Sequence, residues 1–238
     1  MLIKGIQKTT LIDYPNEIAC TIFLFGCNFR CNFCHNPELV IDSKGRIYSE
    51  QEILDFFNKR KKYLGGVCIT GGEPLISLDL DFIKKIKAMG YKVKIDTNGS
   101  FPDKLKLLID NNLVDYIAMD IKAGKEKYEE IVNRSINLEK IQESIKIISN
   151  FKNHEFRTTI LPKFHDEPEI RRMMEWLKSL TQNNNNTNNN QKFYLQGFKN
   201  NHQFVGKGFE NESDITEEYL LDLKKVVEEY FDDVGVRV

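Results

Sequence analysis

Long apolar segments are missing from this 238-residue sequence, and so is an excess of charge of either sign. No stretch of about 18 consecutive apolar residues occurs, so no membrane-spanning helix is predicted. Lysine and arginine number 34 against 35 aspartate and glutamate residues, which argues against a strongly basic field for nucleic acid. The first residues lack the apolar core and cleavage site of a signal peptide, so we expect a cytoplasmic protein.

Cysteine is present in an odd number, five, and three of these residues lie within eight positions. A disulfide scaffold would need even pairing and an oxidising compartment, so clustered thiols favour metal binding or redox chemistry. Cys27, Cys31 and Cys34 have the spacing C-x3-C-x2-C. Iron–sulfur cubanes normally take four thiolates. Cys20 and Cys68 fall within predicted strands, where free cysteine is typically a small buried apolar residue, so three ligands would leave one iron open.

A zinc site is the main alternative for these cysteines. Cys27, Cys31, Cys34 and His35 could supply a Cys3His ligand set. Successive side chains diverge, however, so ligands at positions 34 and 35 make a tetrahedral arrangement awkward. The pattern therefore favours an iron–sulfur cluster over zinc.

Short apolar segments alternate with longer helical patterns along the chain. Six segments rich in β-branched or aromatic residues are predicted strands: residues 18–25, 67–70, 92–97, 116–121, 155–161 and 193–196. Helices are predicted at residues 49–64, 79–89, 102–111, 138–149, 167–180 and 214–231, the first opened by a capping box. This alternation predicts a parallel α/β fold with its chemistry at the C-terminal strand ends. The asparagine-rich residues 183–190 are predicted to form a mobile surface loop.

Polar motifs follow the second and third predicted strands. Gly71 and Gly72 are adjacent glycines, which let a ligand approach the backbone closely. Glu73 comes next and could accept a hydrogen bond from an ammonium group. Asp96 and Asn98 could bind hydroxyl groups or a cation, although an Asn-Gly pair is also common in turns.

Charged residues mark the next two strands. Asp120 and Lys122 project to one face at period two, where Lys122 could attract a carboxylate and Asp120 could hold a metal ion. An internal ion pair between them is the other reading. Arg157 is costly to bury unpaired, so it is predicted to face the site and a carboxylate or carbonyl. Three isolated histidines are interpreted as surface residues without a role: His154, His165 and His202.

The cysteine segment, residues 26–35, closely resembles the signature of the radical S-adenosylmethionine (SAM) superfamily, including an aromatic residue, Phe33, before the third cysteine. The resemblance implies a partial TIM barrel, (β/α)6, with a parallel sheet open at the side and residues 1–238 as a single domain. It implies one [4Fe–4S] cluster on Cys27, Cys31 and Cys34, whose open iron chelates the methionine end of SAM. Reductive cleavage would yield methionine and a 5′-deoxyadenosyl radical.

The same resemblance implies the other contacts of the cofactor. Eleven residues are expected to bind SAM: Phe33, His35, Gly71, Gly72, Glu73, Asp96, Asn98, Asp120, Lys122, Arg157 and Gln196. Phe33 would lie beside the adenine. The family's sixth-strand histidine is not evident, and Gln196 is interpreted as its substitute. Asp96 and Asp120 would also bind a monovalent cation, with backbone oxygens from Thr97 and Ala118.

Residues 8–15 and 35–39 further resemble activating enzymes of glycyl-radical enzymes, especially activators of anaerobic ribonucleotide reductase. The implied partner is a large enzyme whose glycine Cα hydrogen is removed, with flavodoxin or ferredoxin as electron donor. No cysteine-rich insert follows Cys34, so a single cluster is expected. Two alternatives stay open: a radical SAM enzyme acting on a small molecule, such as 7-carboxy-7-deazaguanine synthase, and a zinc-stabilised non-catalytic binding module.

Overall fold

The computed structural model describes residues 1–42, 44–181, 191–200 and 203–238. Within these ranges, eight strands form one mixed sheet in chain order, with β1 and β8 as its open ends. The strands are β1 (Ile3–Thr10), β2 (Ala19–Leu24), β3 (Gly66–Gly71), β4 (Lys92–Thr97), β5 (Tyr116–Asp120), β6 (His154–Ile160), β7 (Lys192–Gly197) and β8 (Asp233–Arg237). The helices are α1 (Pro37–Val40), α2 (Glu50–Arg60), α3 (Leu80–Ala88), α4 (Pro102–Asp110), α5 (Tyr128–Val132), α6 (Leu138–Ser149), α7 (Glu167–Thr181) and α8 (Glu217–Val227), with a 3₁₀ helix at Pro74–Ile76.

The predicted open, parallel α/β architecture is confirmed. Strands β2 to β7 match the six predicted strands to within one residue at each end. Six helices overlap the six predicted ones, with ends that differ by up to four residues: α2, α3, α4, α6, α7 and α8. The structure adds β1, which pairs antiparallel with β2, and β8, which pairs parallel with β7. It also adds the short helices α1 and α5. The asparagine-rich residues 183–190, predicted to be a mobile loop, lie outside the described residues.

The chain divides into two compact units, and the prediction of a single domain stays a prediction. The first unit comprises Met1–Asn28, Asn36–Thr97 and Asp103–Ile117. Its strands β2, β3 and β4 run parallel, and β2 and β3 are buried along most of their length. Strands covered on both faces need apolar residues at nearly every position, which is why these segments read as continuous apolar runs. Helix α2 begins with the predicted capping box, in which Ser49 and Glu52 cap each other's backbone amides.

The second unit comprises Phe29–His35, Asn98–Pro102 and Ala118–Val238. Its strands β6, β7 and β8 are parallel, with Thr159, Gln196 and Arg237 in one register row. Helices α6 and α7 bury an apolar stripe and expose charged residues on the opposite face. The unit therefore has an apolar core of its own, and packing against this core holds its strands in place.

In the part of the chain that the structure describes, no helix is long and apolar enough to cross a membrane.

Candidate functional site

In the first unit, the start of the cysteine segment is bound to the glycine motif that follows β3. The Glu73 amide donates to the carbonyl of Gly26 at 2.7 Å, and the Gly72 amide donates to the carbonyl of Leu24 at 2.9 Å. A Cβ added at Gly72 would overlap the Gly26 carbonyl, and Gly71 has a φ of +125°, a conformation that side chains disfavour. The two glycines are therefore required by the close approach of these two backbones.

The Glu73 side chain is buried and already has partners inside the protein. Its Oε1 accepts from the Leu75 amide at 3.1 Å, which caps the 3₁₀ helix, and from the Thr97 hydroxyl at 2.9 Å. The carboxylate thus joins the ends of β3 and β4. The expected contact with an ammonium group stays a prediction, and it would add to this structural role.

Asp96 lies at the end of β4 beside a buried lysine. Lys94 is 2% exposed and donates to Asp96, and its Nζ lies 3.8 Å from the Sγ of Cys68. Cys20 and Cys68 are both fully buried, as predicted, and burial raises the pKa of Cys20 to about 12. These two thiols are therefore part of the apolar interior rather than of the cysteine segment.

In the second unit, the part of the cysteine segment that carries Cys31 and Cys34 is held by backbone hydrogen bonds. The Arg30 amide donates to the carbonyl of Val132, the last residue of α5, at 2.9 Å. Within the segment, the Cys34 amide donates to the Cys31 carbonyl at 3.0 Å and closes a turn. The side chain of Asn133 reaches Asn32 at 3.1 Å. Hydrogen bonds within the protein thus hold the turn in place without a ligand.

Residues 203–209, here called the strap, also bind the same turn. The Val205 amide donates to the Cys34 carbonyl at 2.8 Å, and the Gly206 amide donates to the Asn32 carbonyl at 3.0 Å. At the end of the strap, Phe209 has its ring centroid 6.3 Å from that of Phe33. Phe33, expected beside an adenine, is thus fixed by an aromatic cluster from its own unit.

Gly206→Ala is expected to weaken the strap. A Cβ at this position would lie 2.5 Å from the Asn32 Cβ, which no side-chain rotation can relieve. We expect a loss of about 1–3 kcal/mol in the free energy of unfolding, the range for overpacked sites, measured by urea denaturation of the metal-free protein. The matched variant Gly197→Ala, whose Cβ would meet Leu220 at an ordinary 3.4 Å, should unfold as the wild type does. Equal stability of the two variants would contradict this account of the strap.

The two cysteines of the turn differ in exposure. Cys31 is buried and Cys34 is partly exposed. Burial raises the pKa of Cys31 to about 11, against the opposing effect of the Lys122 cation. Without a metal, Cys31 is therefore a protonated thiol at neutral pH, and metal binding would have to displace its proton.

Asp120, Lys122 and Arg157 form one ionic group. It contains the carboxylate partner predicted for Arg157 and the internal ion pair that was one of the two readings of Asp120 and Lys122. Asp120 accepts from Arg157 Nε through Oδ1 at 2.8 Å, and its Oδ2 lies 3.3 Å from Lys122 Nζ. Burial alone would raise the pKa of Asp120, but the two cations hold it well below its usual range. Burial would lower the pKa of Lys122, yet Asp120 and the nearby thiols keep it above its usual range. The group carries two positive charges and one negative charge.

The interpretation of the histidines as surface residues is wrong for both that the structure describes. His154 and His165 are 2% and 0% exposed, and His202 lies outside the described residues. The Nδ1 of His165 accepts from the Leu161 amide at 3.1 Å, so its proton is on Nε2, which donates to the Lys122 carbonyl at 2.8 Å. His165 therefore fixes the backbone of the residue that carries the cation. No motif or periodicity in the sequence marks this contact.

Burial lowers the pKa of His165, so acid should destabilise the native protein. The unfolded chain binds a proton below about pH 6.5 that the native histidine excludes, so the free energy of unfolding should fall as pH drops through that value. His165→Gln should reduce this pH dependence in urea unfolding of the metal-free protein at pH 7.5, 6.5 and 5.5. A residual slope is expected from His154, whose pKa burial also lowers. An undiminished slope would refute the assignment, and the exposed His35→Gln serves as control.

The remaining predicted residues lie at the strand ends or on the cysteine segment. The side chain of Asn98 accepts from the Ser100 amide at 3.0 Å, which shows the turn that an Asn-Gly pair favours. Gln196 is the register neighbour of Thr159 and Arg237, and His35 is exposed. Among the residues that the structure describes, no three His, Cys, Asp or Glu side chains are grouped closely enough to hold one metal ion. The ligand assignments therefore stay predictions.

Comparison with known proteins decides the family. The model of the radical SAM superfamily matches residues 21–177 of this chain. The chain belongs to the radical SAM superfamily. A protein of Methanocaldococcus jannaschii assigned as a glycyl-radical enzyme activating enzyme is 36% identical over 186 residues, which covers 74% of this chain and 75% of that protein. This confirms the expected superfamily and an enzyme of the radical SAM type.

Two further comparisons agree with this assignment. The pyruvate formate-lyase-activating enzyme of Listeria monocytogenes is 29% identical over 193 residues, covering 75% of this chain and 76% of the relative. A solved domain of pyruvate-formate lyase-activating enzyme from Bacteroides vulgatus superposes with a TM-score of 0.54 at 18% identity, over 73% of this chain and 99% of that domain. The structural match shows that this radical SAM protein shares the fold of that domain.

Proposed function

We propose that this radical SAM protein cleaves SAM reductively and uses the resulting 5′-deoxyadenosyl radical to generate a glycyl radical on a partner enzyme. The observation that carries the proposal is the hydrogen-bonded turn that holds Cys31 and Cys34, neither of them in a disulfide, with the cation of Lys122 acting on Cys31. A primary carbon radical reacts with most groups it meets, so the chemistry needs a fixed site rather than a mobile loop.

Cys27, Cys31 and Cys34 are the proposed ligands of a [4Fe–4S] cluster. None of the three cysteines is in a disulfide. Gly26 is hydrogen-bonded within the first unit, and Asn32 and Cys34 are hydrogen-bonded within the second. Soft thiolates suit iron–sulfur clusters. A cluster bound there supplies the electron for SAM cleavage. The Lys122 cation would favour the thiolate form of Cys31 that such a cluster requires.

The ionic group of Asp120, Lys122 and Arg157 is proposed to receive the carboxylate of SAM. Its surplus positive charge is partly buried, with side-chain exposures between 14% and 22%, so its attraction for an anion is only weakly screened. Backbone groups at Gly71 and Gly72, and the Glu73 carboxylate, would serve the amino group. The remaining proposed contacts are Phe33, His35, Asp96, Asn98 and Gln196.

The proposed monovalent cation would compete with partners already present. Both oxygens of Asp120 face cationic side chains, and Asp96 accepts from Lys94. A potassium or sodium ion at these carboxylates would therefore require at least one of the side chains to move. The cation belongs to the proposal because the resemblance to activating enzymes of glycyl-radical enzymes implies it.

The proposed partner is a glycyl-radical enzyme, and flavodoxin or ferredoxin is the proposed electron donor, all in the cytoplasm. The similarity to activating enzymes over three quarters of both chains supports this branch of the superfamily. Small-molecule radical SAM chemistry, as in 7-carboxy-7-deazaguanine synthase, is the rival function. A zinc-stabilised binding module is the other, and it predicts zinc and no affinity for SAM.

The test is anaerobic reconstitution with iron and sulfide, followed by reduction in the presence of SAM. Release of 5′-deoxyadenosine is expected from an activase and from a small-molecule enzyme alike. Adding a glycyl-radical enzyme should then produce a protein glycyl signal in electron paramagnetic resonance. Cleavage of SAM without that signal, across the glycyl-radical enzymes of the source organism, would favour the small-molecule function, and zinc without SAM cleavage would favour the binding module.

A further inference from the structure

A buried carboxylate connects the ionic group to the last strand of the sheet. Glu155 lies in β6, two positions before Arg157, and is 1% exposed. Its two oxygens accept from the two terminal nitrogens of Arg237 at 2.7 and 2.8 Å. On its other side, Arg157 Nη1 lies 3.9 Å from Glu155 Oε1. The Glu155 carboxylate therefore lies between two guanidinium groups and attracts both.

Arg237 is held in place by more than this pair. Its guanidinium carbon lies 3.8 Å from the ring centroid of Tyr194, which is the register neighbour of Gly235 in β8. A Cβ at Gly235 would lie 2.7 Å from Tyr194 Cδ1, so the ring occupies the space that a side chain would need. An arginine that is stacked on an aromatic ring and bidentate to a carboxylate has little conformational freedom left.

The contacts form a continuous series of alternating charges from strands β8, β6 and β5, ending at Lys122 just after β5. From β8 inward, Arg237 meets Glu155, Glu155 meets Arg157, Arg157 meets Asp120, and Asp120 meets Lys122. Each carboxylate contacts two cations, so neither buried carboxylate in the series lacks a compensating charge, and one positive charge is left over. Removal of Glu155 would leave two guanidinium groups facing each other without their shared anion. Arg157 would then keep Asp120 as its carboxylate partner but lose the second carboxylate, which fixes the orientation of its guanidinium group from the other side.

We propose that Glu155 and Arg237 are positioning residues that hold Arg157 in the orientation needed to bind the SAM carboxylate. Neither residue belongs to the ionic group itself, and both act through the guanidinium of Arg157. The inference rests on the proposed function of that group and extends it to β8. The C-terminal strand thus contributes to the site although it carries none of the superfamily motifs that the sequence shows.

The first test measures SAM binding to the anaerobically reconstituted holoprotein by isothermal titration calorimetry. Glu155→Gln and Arg237→Gln should each raise the dissociation constant roughly tenfold, as expected for one well-oriented charged hydrogen bond. Arg237→Lys keeps the charge but loses the bidentate contact and should fall between them and the wild type. Iron content should not change, and the loss should appear in KM for SAM rather than in kcat.

A matched pair in the same unit provides the control. Arg171 and Glu229 also form a bidentate contact, at 2.7 and 3.1 Å, but on the exposed surface. Arg171→Gln and Glu229→Gln should leave the dissociation constant for SAM within twofold of the wild type. The proposal is overturned if Glu155→Gln binds SAM normally, or if the surface variants weaken binding equally.

A second measurement does not depend on SAM and separates this inference from the proposed function. In the metal-free protein, Glu155→Gln and Asp120→Asn should have non-additive effects on urea unfolding, because both residues act on Arg157. Glu229→Gln combined with Asp120→Asn should be additive. Additive effects of Glu155→Gln and Asp120→Asn would overturn the positioning role. If the two substitutions are coupled but the wild-type holoprotein does not bind SAM, the positioning role stands and only the proposed function is refuted.

Discussion

Replacing Cys31 with alanine is expected to abolish formation of the [4Fe–4S] cluster and to bring 5′-deoxyadenosine release below detection. Only two thiolates of the segment would remain, and two cannot retain a cubane whose fourth corner must stay free for SAM. The substitution removes one buried sulfur and leaves the backbone bonds of the turn intact, namely those of Arg30, Asn32 and Cys34. The loss should therefore come from ligation rather than from unfolding.

Iron analysis, the visible absorption spectrum and product release after anaerobic reconstitution measure this effect. Cys20→Ala is the matched control, since Cys20 is also buried but lies inside β2. It should retain its iron and its SAM cleavage. If Cys31→Ala kept wild-type iron content and turnover, the ligand assignment would be wrong. Loss of iron in Cys20→Ala as well would mean that general destabilisation, and not ligation, explains the result.

Gly72→Ala is expected to have the second largest effect, on stability and on the cluster together. The added Cβ would overlap the carbonyl of Gly26 and lie 2.6 Å from its carbon atom. These are backbone atoms, so the overlap can be relieved only by separating the two segments. The hydrogen bond from the Glu73 amide to Gly26 would then break. Overpacking and a lost buried hydrogen bond together predict a loss of roughly 2–4 kcal/mol in the free energy of unfolding.

Because Cys27 directly follows Gly26, the same displacement should also lower the iron content after reconstitution. Urea denaturation of the metal-free protein and iron analysis of the loaded protein measure the two effects separately. Gly5→Ala is the control in the same unit, since its Cβ would meet the Phe23 side chain at an ordinary 3.4 Å. If Gly72→Ala had the stability of the wild type, the Gly26 backbone would be able to move away from the added Cβ at no cost, and the expected overlap would be wrong.

The strands that the sequence predicted differ from those that it did not in how they are covered. Strands β2 and β3 are buried at most positions, so their apolar character is continuous and visible in the sequence. Strands β1 and β8 are the ends of the sheet, and β8 is only half buried at each of its residues. Their sequences mix polar, charged and glycine residues, so they resemble loops until the neighbouring strand is known.

By itself, the sequence determined the alternating parallel architecture, the cysteine spacing and the placement of the polar motifs at strand ends. These are local properties, because hydrophobic periodicity and motif spacing are set over a few residues. Only the tertiary structure decided which side chains meet: Arg157 with Asp120 across 37 residues, His165 with Lys122 across 43, and Arg237 with Glu155 across 82. Such contacts depend on strand order and register, and short-range sequence patterns do not specify either of them.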